Sequence, residues 1–249
     1  MWRYPVKSLR GESLAEVSVT ERGVAGDRVW AVRELDRGGI MSARTFPLML
    51  QLQAAYEGDP TDPEARIRIE LPDGSEVYPG GAETEALMTK WLRRKVSLVR
   101  VRNERLSPAE LEAIMRGEAY PPNRDFFDED VMHIVATGTL DFMRSLRSQS
   151  DFDSRRFRAN IYVNTGSETD GFVEDRWLDG VLEIGEQVRI IGMRPAIRCA
   201  MTTHPQADLP HDVGVLRTAW QYHQAYVGVF AAVGTAGSIR LDDPVVLVS

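Results

Sequence analysis

The run Arg66-Ile67-Arg68-Ile69-Glu70-Leu71 places an apolar residue at every second position and closes on Pro72-Asp73-Gly74. A period of two puts the apolar side chains on one face of a strand, and the closing triplet is turn chemistry. Short runs of this kind recur along the chain. Leu14 to Thr20 and Val29 to Leu35 flank turn signals at Gly23, Gly26 and Asp27, and Asp36-Arg37-Gly38-Gly39 follows, so these two runs bracket a hairpin. Met49 to Tyr56 reads as a strand entered through Phe46-Pro47, and Lys95 to Val101 and Val131 to Ala136 as two more. Later runs are Asn160 to Val163, Val181 to Ile184, Val188 to Met193, Ala225 to Val233, Ile239 to Leu241 and Val245 to Val248, with a turn at Gly234 to Ser238. Strand segments outnumber helical ones, and no regular strand–helix–strand alternation is present. A strand-rich α+β fold follows, with a mixed barrel-like sheet rather than a doubly wound one.

Helical spacing is confined to four places. Leu87, Met88, Trp91 and Leu92 lie on one face between Ala82 and Arg94, with cations in the last turn where they suit the helix dipole. Ser107-Pro108-Ala109-Glu110 is a capping box that predicts a short helix to about Met115. Thr137-Gly138 leads into a helix carrying Leu140, Phe142, Met143 and Leu146, where Thr137 is a natural cap, and Val215 to Tyr222 forms the last. Between them, Tyr120 to Asp130 holds Pro121-Pro122 and a cluster of acids, which reads as a linker. The expected division is therefore an N-terminal domain over 1–120 and a second over 121–249.

A net charge of −7 and a pI near 5.3 argue against a general nucleic-acid binder. The first residues, Met1 to Gly11, show no signal-peptide pattern, and no apolar stretch approaches membrane-spanning length, so neither export nor insertion is expected. With one cysteine, a cytoplasmic location is the simplest expectation. The phosphate-binding glycine loops, the zinc-protease HExxH and the hydrolase GxSxG are all missing. His204 and His211 share a loop with Asp208 and Asp212, which could in principle hold a metal, but such a loop is more often simply polar surface.

That one cysteine, Cys199, cannot form an intramolecular disulfide. Its uses are nucleophile, redox centre or ligand to a soft metal, and burial as a small hydrophobe is the plain alternative. The strand from Val188 is expected to end at Arg194-Pro195, leaving Cys199 in the following loop between Arg194 and Arg198, whose charge favours a thiolate.

Five short motifs occur in order: Tyr4-Pro5-Val6-Lys7-Ser8, Gly26-Asp27-Arg28, Ser42-Ala43-Arg44, Arg156-Phe157-Arg158-Ala159-Asn160-Ile161 and Arg198-Cys199-Ala200-Met201-Thr202-Thr203. Together they resemble the MOSC-domain family in its two-part form, a MOSC domain preceded by a smaller N-terminal β-barrel-like domain, and within it the amidoxime-reducing members. The resemblance implies a molybdenum cofactor with one pterin per metal, Cys199 as metal ligand, and reduction of N-hydroxylated substrates such as amidoximes, hydroxylamines and N-hydroxylated bases. It implies that Lys7, Ser8, Arg28 and Arg44 hold the cofactor's phosphate, residue types suited to an anion. Arg158 and Asn160 would face the cofactor or orient substrate, with Cys199, as the catalytic set. Thr202, Thr203 and Thr137 would add polar contacts to the cofactor.

Electrons would come from a separate flavin or iron–sulfur reductase, because one cysteine cannot hold an iron–sulfur cluster. An alternative is a non-catalytic carrier of the cofactor, or of sulfur as a Cys199 persulfide. No aminotransferase-like domain is present, so pyridoxal phosphate is not expected. The sequence departs from its relatives at Ala159, where they carry proline, and at His204-Pro205, where they continue with valine, aspartate and proline.

Overall fold

The computed structural model describes residues 1–249 except 63, 82, 101–131, 167–169 and 249. The helix expected over 107–115 and the linker over 120–130 lie outside the described residues. The first strands are β1 (Trp2–Arg3), β2 (Glu12–Ser13), β3 (Glu16–Thr20), β4 (Gly23–Val24) and β5 (Trp30–Glu34). They are followed by β6 (Gln53–Glu57), β7 (Arg66–Glu70), β8 (Glu76–Val77), helix α1 (Thr84–Leu92) and β9 (Val96–Arg100). After the gap come β10 (Met132–Ala136), α2 (Thr137–Leu146), β11 (Ile161–Val163), β12 (Val181–Ile184) and β13 (Val188–Ile197). The chain closes with α3 (Val213–His223), β14 (Tyr226–Thr235), β15 (Gly237–Arg240) and β16 (Val245–Val248). The strand-rich α+β class expected from sequence is the class observed.

The chain forms two compact units. One comprises Met1–Arg3, Glu12–Ala25 and Glu129–Ser249. Its main sheet runs β11-β10-β14-β13-β12-β16, with β10 and β11 parallel and the other neighbours antiparallel. A three-stranded sheet β15-β3-β4 and the pair β1-β2 belong to the same unit. Strand β10 is buried along its whole length. Met132, Ile134 and Ala136 enter a core shared with Val17, Val19, Trp177, Leu182 and Ile190, whereas Val135 enters a second core with Leu140, Met143, Phe157, Val215 and Val227. Because successive side chains leave a strand on opposite faces, a strand covered on both sides is largely apolar, and its one polar side chain, His133, is buried with its ring bonded to the Val227 carbonyl at 3.0 Å. Each such aliphatic side chain contributes roughly 1.5–3 kcal/mol by leaving water.

The other unit comprises Tyr4–Gly11 and Gly26–Asp128. It contains the pair β5-β9 and the sheet β6-β7-β8. In β7 the sequence alternation is realised directly, with Ile67 and Ile69 buried and Arg66 exposed.

Four expectations are corrected. The hairpin between 14–20 and 29–35 does not form: β3 pairs with β4 and β15, and β5 pairs with β9. The Gly23 turn is tight enough to close β3 directly onto β4, so Val29 to Leu35 is left to find a distant partner. Met49 lies in a 3-10 turn, Pro47–Gln51, because proline at its head presets the turn, and the strand starts only at Gln53. Strand β13 does not stop at Pro195 but runs to Ile197, with register shifts on either side of the Arg194-Pro195 pair. Such irregularities tolerate a residue without an N–H. The last turn is shorter than expected, since β14 reaches Thr235 and β15 begins at Gly237.

Candidate functional site

Cys199 follows β13 after one residue and heads a 3-10 turn, Ala200–Thr203. It is a free, half-buried thiol. The Thr202 N–H and hydroxyl both donate to the Cys199 carbonyl, at 3.1 and 3.0 Å, and the Thr203 hydroxyl donates to the Ala200 carbonyl at 2.7 Å. Both threonine hydroxyls thus shape the turn, leaving their lone pairs as acceptors. The loop ends where Asp212 caps α3, accepting the N–H groups of Gly214 and Asp151 and the Ser150 hydroxyl. Burial pushes the Asp212 carboxyl up, but these donors and the Arg156 charge outweigh it and hold the group below the usual carboxylate range.

The segment 155–158 lies against this loop. Arg156 is 1% exposed, and its guanidinium donates to the Pro210 carbonyl at 2.9 Å and stands 3.5 Å from the carbonyls of Thr202 and His204. Arg155 bridges Asp153 and Asp208, the second at 2.7 Å. Arg198 donates from its side chain to the Phe157 carbonyl at 2.8 Å and from its backbone to Ala225 at 2.7 Å. Arg194, expected to flank the thiol, is exposed and lies over the Phe230 ring at 5.2 Å.

Arg158 is buried in the left-handed backbone region at φ 56°. Asn160 is fully buried and acts as a bracket: its Oδ1 accepts the His133 N–H at 3.2 Å, its Nδ2 donates to Trp2 at 3.4 Å, and its backbone pairs with both residues. Thr137 is half-buried and does not cap α2. The cap position is Ala136, and the Thr137 hydroxyl accepts the Thr165 N–H at 3.3 Å. The first-turn N–H of Gly138 is instead capped by the Thr165 hydroxyl at 3.1 Å, while Glu174, buried on a distant turn, accepts the Ala136 N–H at 2.7 Å and the Thr139 hydroxyl. Burial raises the Glu174 carboxyl above its ordinary value, although these two donors work against the shift.

In the other unit, Lys7 and Ser8 are buried. The Ser8 hydroxyl oxygen is buried with no hydrogen-bond partner among the described residues, and Ser8 holds φ at 67°. The Asp27 carboxylate accepts the Tyr4 N–H at 2.6 Å and pairs with the Arg28 guanidinium, which lies 5.1 Å from the Tyr4 ring centre. Gly26 precedes them at φ 79°, where an added Cβ would come within 2.7 Å of the Tyr56 ring and 2.6 Å of Pro60. Only glycine fits there. Arg28 is itself left-handed at φ 51°, so three nominated residues, Ser8, Arg28 and Arg158, hold a conformation that non-glycine residues rarely adopt. Arg44 is exposed, and its backbone N–H donates to the Ser42 hydroxyl at 3.3 Å.

Within the first unit, then, Cys199, Thr202 and Thr203 share one loop, with Arg158 and Asn160 on the adjoining segment. Within the second, Tyr4 and Asp27 hold Arg28, and the Lys7 N–H donates to the Trp30 carbonyl at 2.8 Å. The His204 and His211 rings are 6.3 Å apart, and no three His, Cys, Asp or Glu side chains are grouped for a metal among the described residues.

Residues 1–110 match the MOSC N-terminal beta barrel domain, and residues 121–246, a little over half of the chain, match the MOSC domain. The chain belongs to the MOSC-domain family. This MOSC protein is 23% identical over 282 residues to the mitochondrial amidoxime reducing component 2 of Rattus norvegicus, spanning 98% of this chain and 81% of the relative. It is also 23% identical over 290 residues to the mitochondrial amidoxime-reducing component 1 of Mus musculus, spanning 99% and 81%. Among solved structures, that of YiiM from Geobacillus stearothermophilus overlaps 48% of this chain and 55% of its own, at 16% identity and a TM-score of 0.37.

These relatives overturn the expected cytoplasmic location, since both are mitochondrial by name. A low cysteine count reports that a fold needs no disulfides and does not distinguish one reducing compartment from another. No helix among the described residues is long and apolar enough to cross a membrane. Arg156 and Glu174 are the residues of this MOSC unit that sequence reasoning missed. Arg156 was visible as the first letter of a motif, but nothing in a run of three arginines in four residues marks which one is buried. Glu174 gave no local signal.

Proposed function

We propose that the chain is a molybdenum-cofactor-dependent oxidoreductase that reduces N-hydroxylated compounds with electrons from a separate flavin or iron–sulfur reductase. Membership of the MOSC family supports a molybdenum-linked redox role, and the names of the two relatives support the narrower chemistry. The observation that carries the reading is Cys199, a free half-buried thiol at the head of a loop fixed from several sides. A soft thiolate is a fitting protein donor for such a metal. In this reading Cys199 is the one protein donor and the remaining donors come with the cofactor.

The other residues fit an anionic group that ends in phosphate. The Ser8 hydroxyl is buried and lacks a partner among the described residues, which is costly unless something else binds it. Lys7, Arg28 and Arg44 supply cations, with Arg28 fixed by Asp27 and Tyr4. Arg158 is the residue proposed to meet pterin or substrate. Asn160 acts by fixing the start of β11 beside it, and the Thr202, Thr203 and Thr137 oxygens offer acceptors at the cofactor.

When bound, the molybdenum–pterin group supplies two-electron redox chemistry. In the overall reaction the N–O bond of substrate breaks, two electrons arrive from the partner reductase, and two protons complete the amine or amidine and water. The protein's task is binding, orientation and electrostatics. Cys199→Ala is expected to abolish benzamidoxime reduction with a reduced dye as electron donor, while its thermal melting stays near that of the parent. Full reduction by a folded Cys199→Ala protein would contradict the assignment.

A further inference from the structure

The Cys199 loop contains a backbone problem that its own residues do not solve. A 3-10 turn satisfies each carbonyl with the N–H three residues ahead. For the Thr202 carbonyl that residue is Pro205, which has no N–H. The carbonyls of His204 and Pro210, further along the same loop, converge with it on one buried cation, Arg156. Among the described residues the only carboxylate within 4 Å of that guanidinium is Asp151, at 3.9 Å and half-exposed. Arg156 is therefore not chiefly half of an ion pair. Nη2 donates to the Pro210 carbonyl at 2.9 Å and Nη1 faces the Thr202 and His204 carbonyls at 3.5 Å each, while Nε is buried with no hydrogen-bond partner among the described residues. A planar guanidinium spans these three oxygens in a way that a lysine ammonium on a flexible stem does poorly.

The rest of the segment repeats the arrangement. Arg155 holds Asp208 from one side, and the Phe157 carbonyl accepts from Arg198, the residue before the thiol. The segment is fixed in turn by Tyr162, whose hydroxyl accepts the Ala159 N–H at 3.1 Å and donates to the Ser154 carbonyl. Pro205 is what leaves the Thr202 carbonyl to the guanidinium.

We infer that Arg156 is the positioning residue of the Cys199 loop: its buried guanidinium gathers the Thr202, His204 and Pro210 carbonyls and so sets the presentation of the thiol. The inference deepens the reading of Cys199 as the functional thiol, but it concerns the protein alone and is testable without cofactor. Because Cys199 is the sole cysteine, its alkylation by iodoacetamide in cofactor-free, folded protein reports one site.

Arg156→Met keeps the bulk and removes the fork, and it is expected to raise the alkylation rate about fivefold or more by letting the loop open locally. Arg156→Lys, which keeps the charge, is expected to fall between Met and the parent. Leu182→Ala, a cavity in the other core cluster, lowers global stability and is expected to leave the rate unchanged. A folded Arg156→Met protein that alkylates at the parental rate overturns the inference. So does a Leu182→Ala protein that alkylates as fast as the arginine variant. Should Arg156→Met not fold, Arg156→Lys decides alone: a rate raised above that of Leu182→Ala supports the inference and a parental rate overturns it. Failure of this test leaves molybdenum binding untouched, and absence of molybdenum leaves this test intact.

Discussion

Gly228 sits inside β14 at φ 81°, where an added Cβ would lie 2.5 Å from the Ile134 carbonyl oxygen and 2.6 Å from His133 Nε2. That closeness lets the His133 ring reach the Val227 carbonyl at 3.0 Å, and the His133 backbone in turn carries Asn160. Gly228→Ala combines a left-handed alanine with an overpacked core, and is expected to cost about 3 kcal/mol or more in chemical denaturation. Gly38→Ala, at a similar φ with nothing within 4 Å, is the comparison and is expected to cost roughly 1–3 kcal/mol for backbone conformation alone. Residues differ in how openly the sequence displays such roles. Cys199 stood out because it is unique, whereas Arg156, Arg158 and Arg155 are chemically alike, and only folding decides which guanidinium is buried under the loop. Ser8 was legible through its motif. Its buried hydroxyl became visible only in three dimensions.

Elements show the same division between what is local and what is not. Helix α2 was legible from the spacing of Leu140, Met143 and Leu146, but its start was not, because Ala136 offers no side-chain acceptor, Thr165 caps the Gly138 N–H from beyond β11, and Glu174 arrives from a separate turn to hold the Ala136 N–H. That arrangement has a pH consequence. Burial raises the Glu174 carboxyl above its ordinary value, so the folded state holds the proton more tightly than the unfolded state. The contribution to stability is therefore full below the unfolded value and is lost as pH rises through the higher folded value. Glu174→Gln removes the titration. In urea denaturation, the stability of the parent relative to this variant is expected to rise as pH falls from about 7 to about 4. A difference that is flat, or that shrinks on acidification, would contradict this account of Glu174. Strand β13 makes the related point about boundaries, since Pro195 marks a place where a ladder bond is missing, and the sheet accommodates it without ending the strand.

At the scale of the whole molecule, alternation announced most strands but not their partners. Val17 and Val19 show that β3 is half-buried; nothing near them shows that β15, more than 200 residues later, completes the sheet. Period-two patterning specifies a face, and pairing across such a distance depends on which faces the finished core can cover. The same applies to the unit assembled from Met1–Arg3, Glu12–Ala25 and Glu129–Ser249, whose two short N-terminal pieces carry no compositional mark. The short motifs did what periodicity could not: they pointed to the family, whose two domain models match residues 1–110 and 121–246.

The central claim is that Cys199 serves a molybdenum cofactor. Protein produced with molybdate and weighed under native conditions, alongside metal analysis, tests it most directly. The account predicts about one molybdenum per chain together with the mass of a single pterin, and much lower occupancy in Cys199→Ala. Protein with no molybdenum, or with only a sulfur adduct on Cys199, would contradict it.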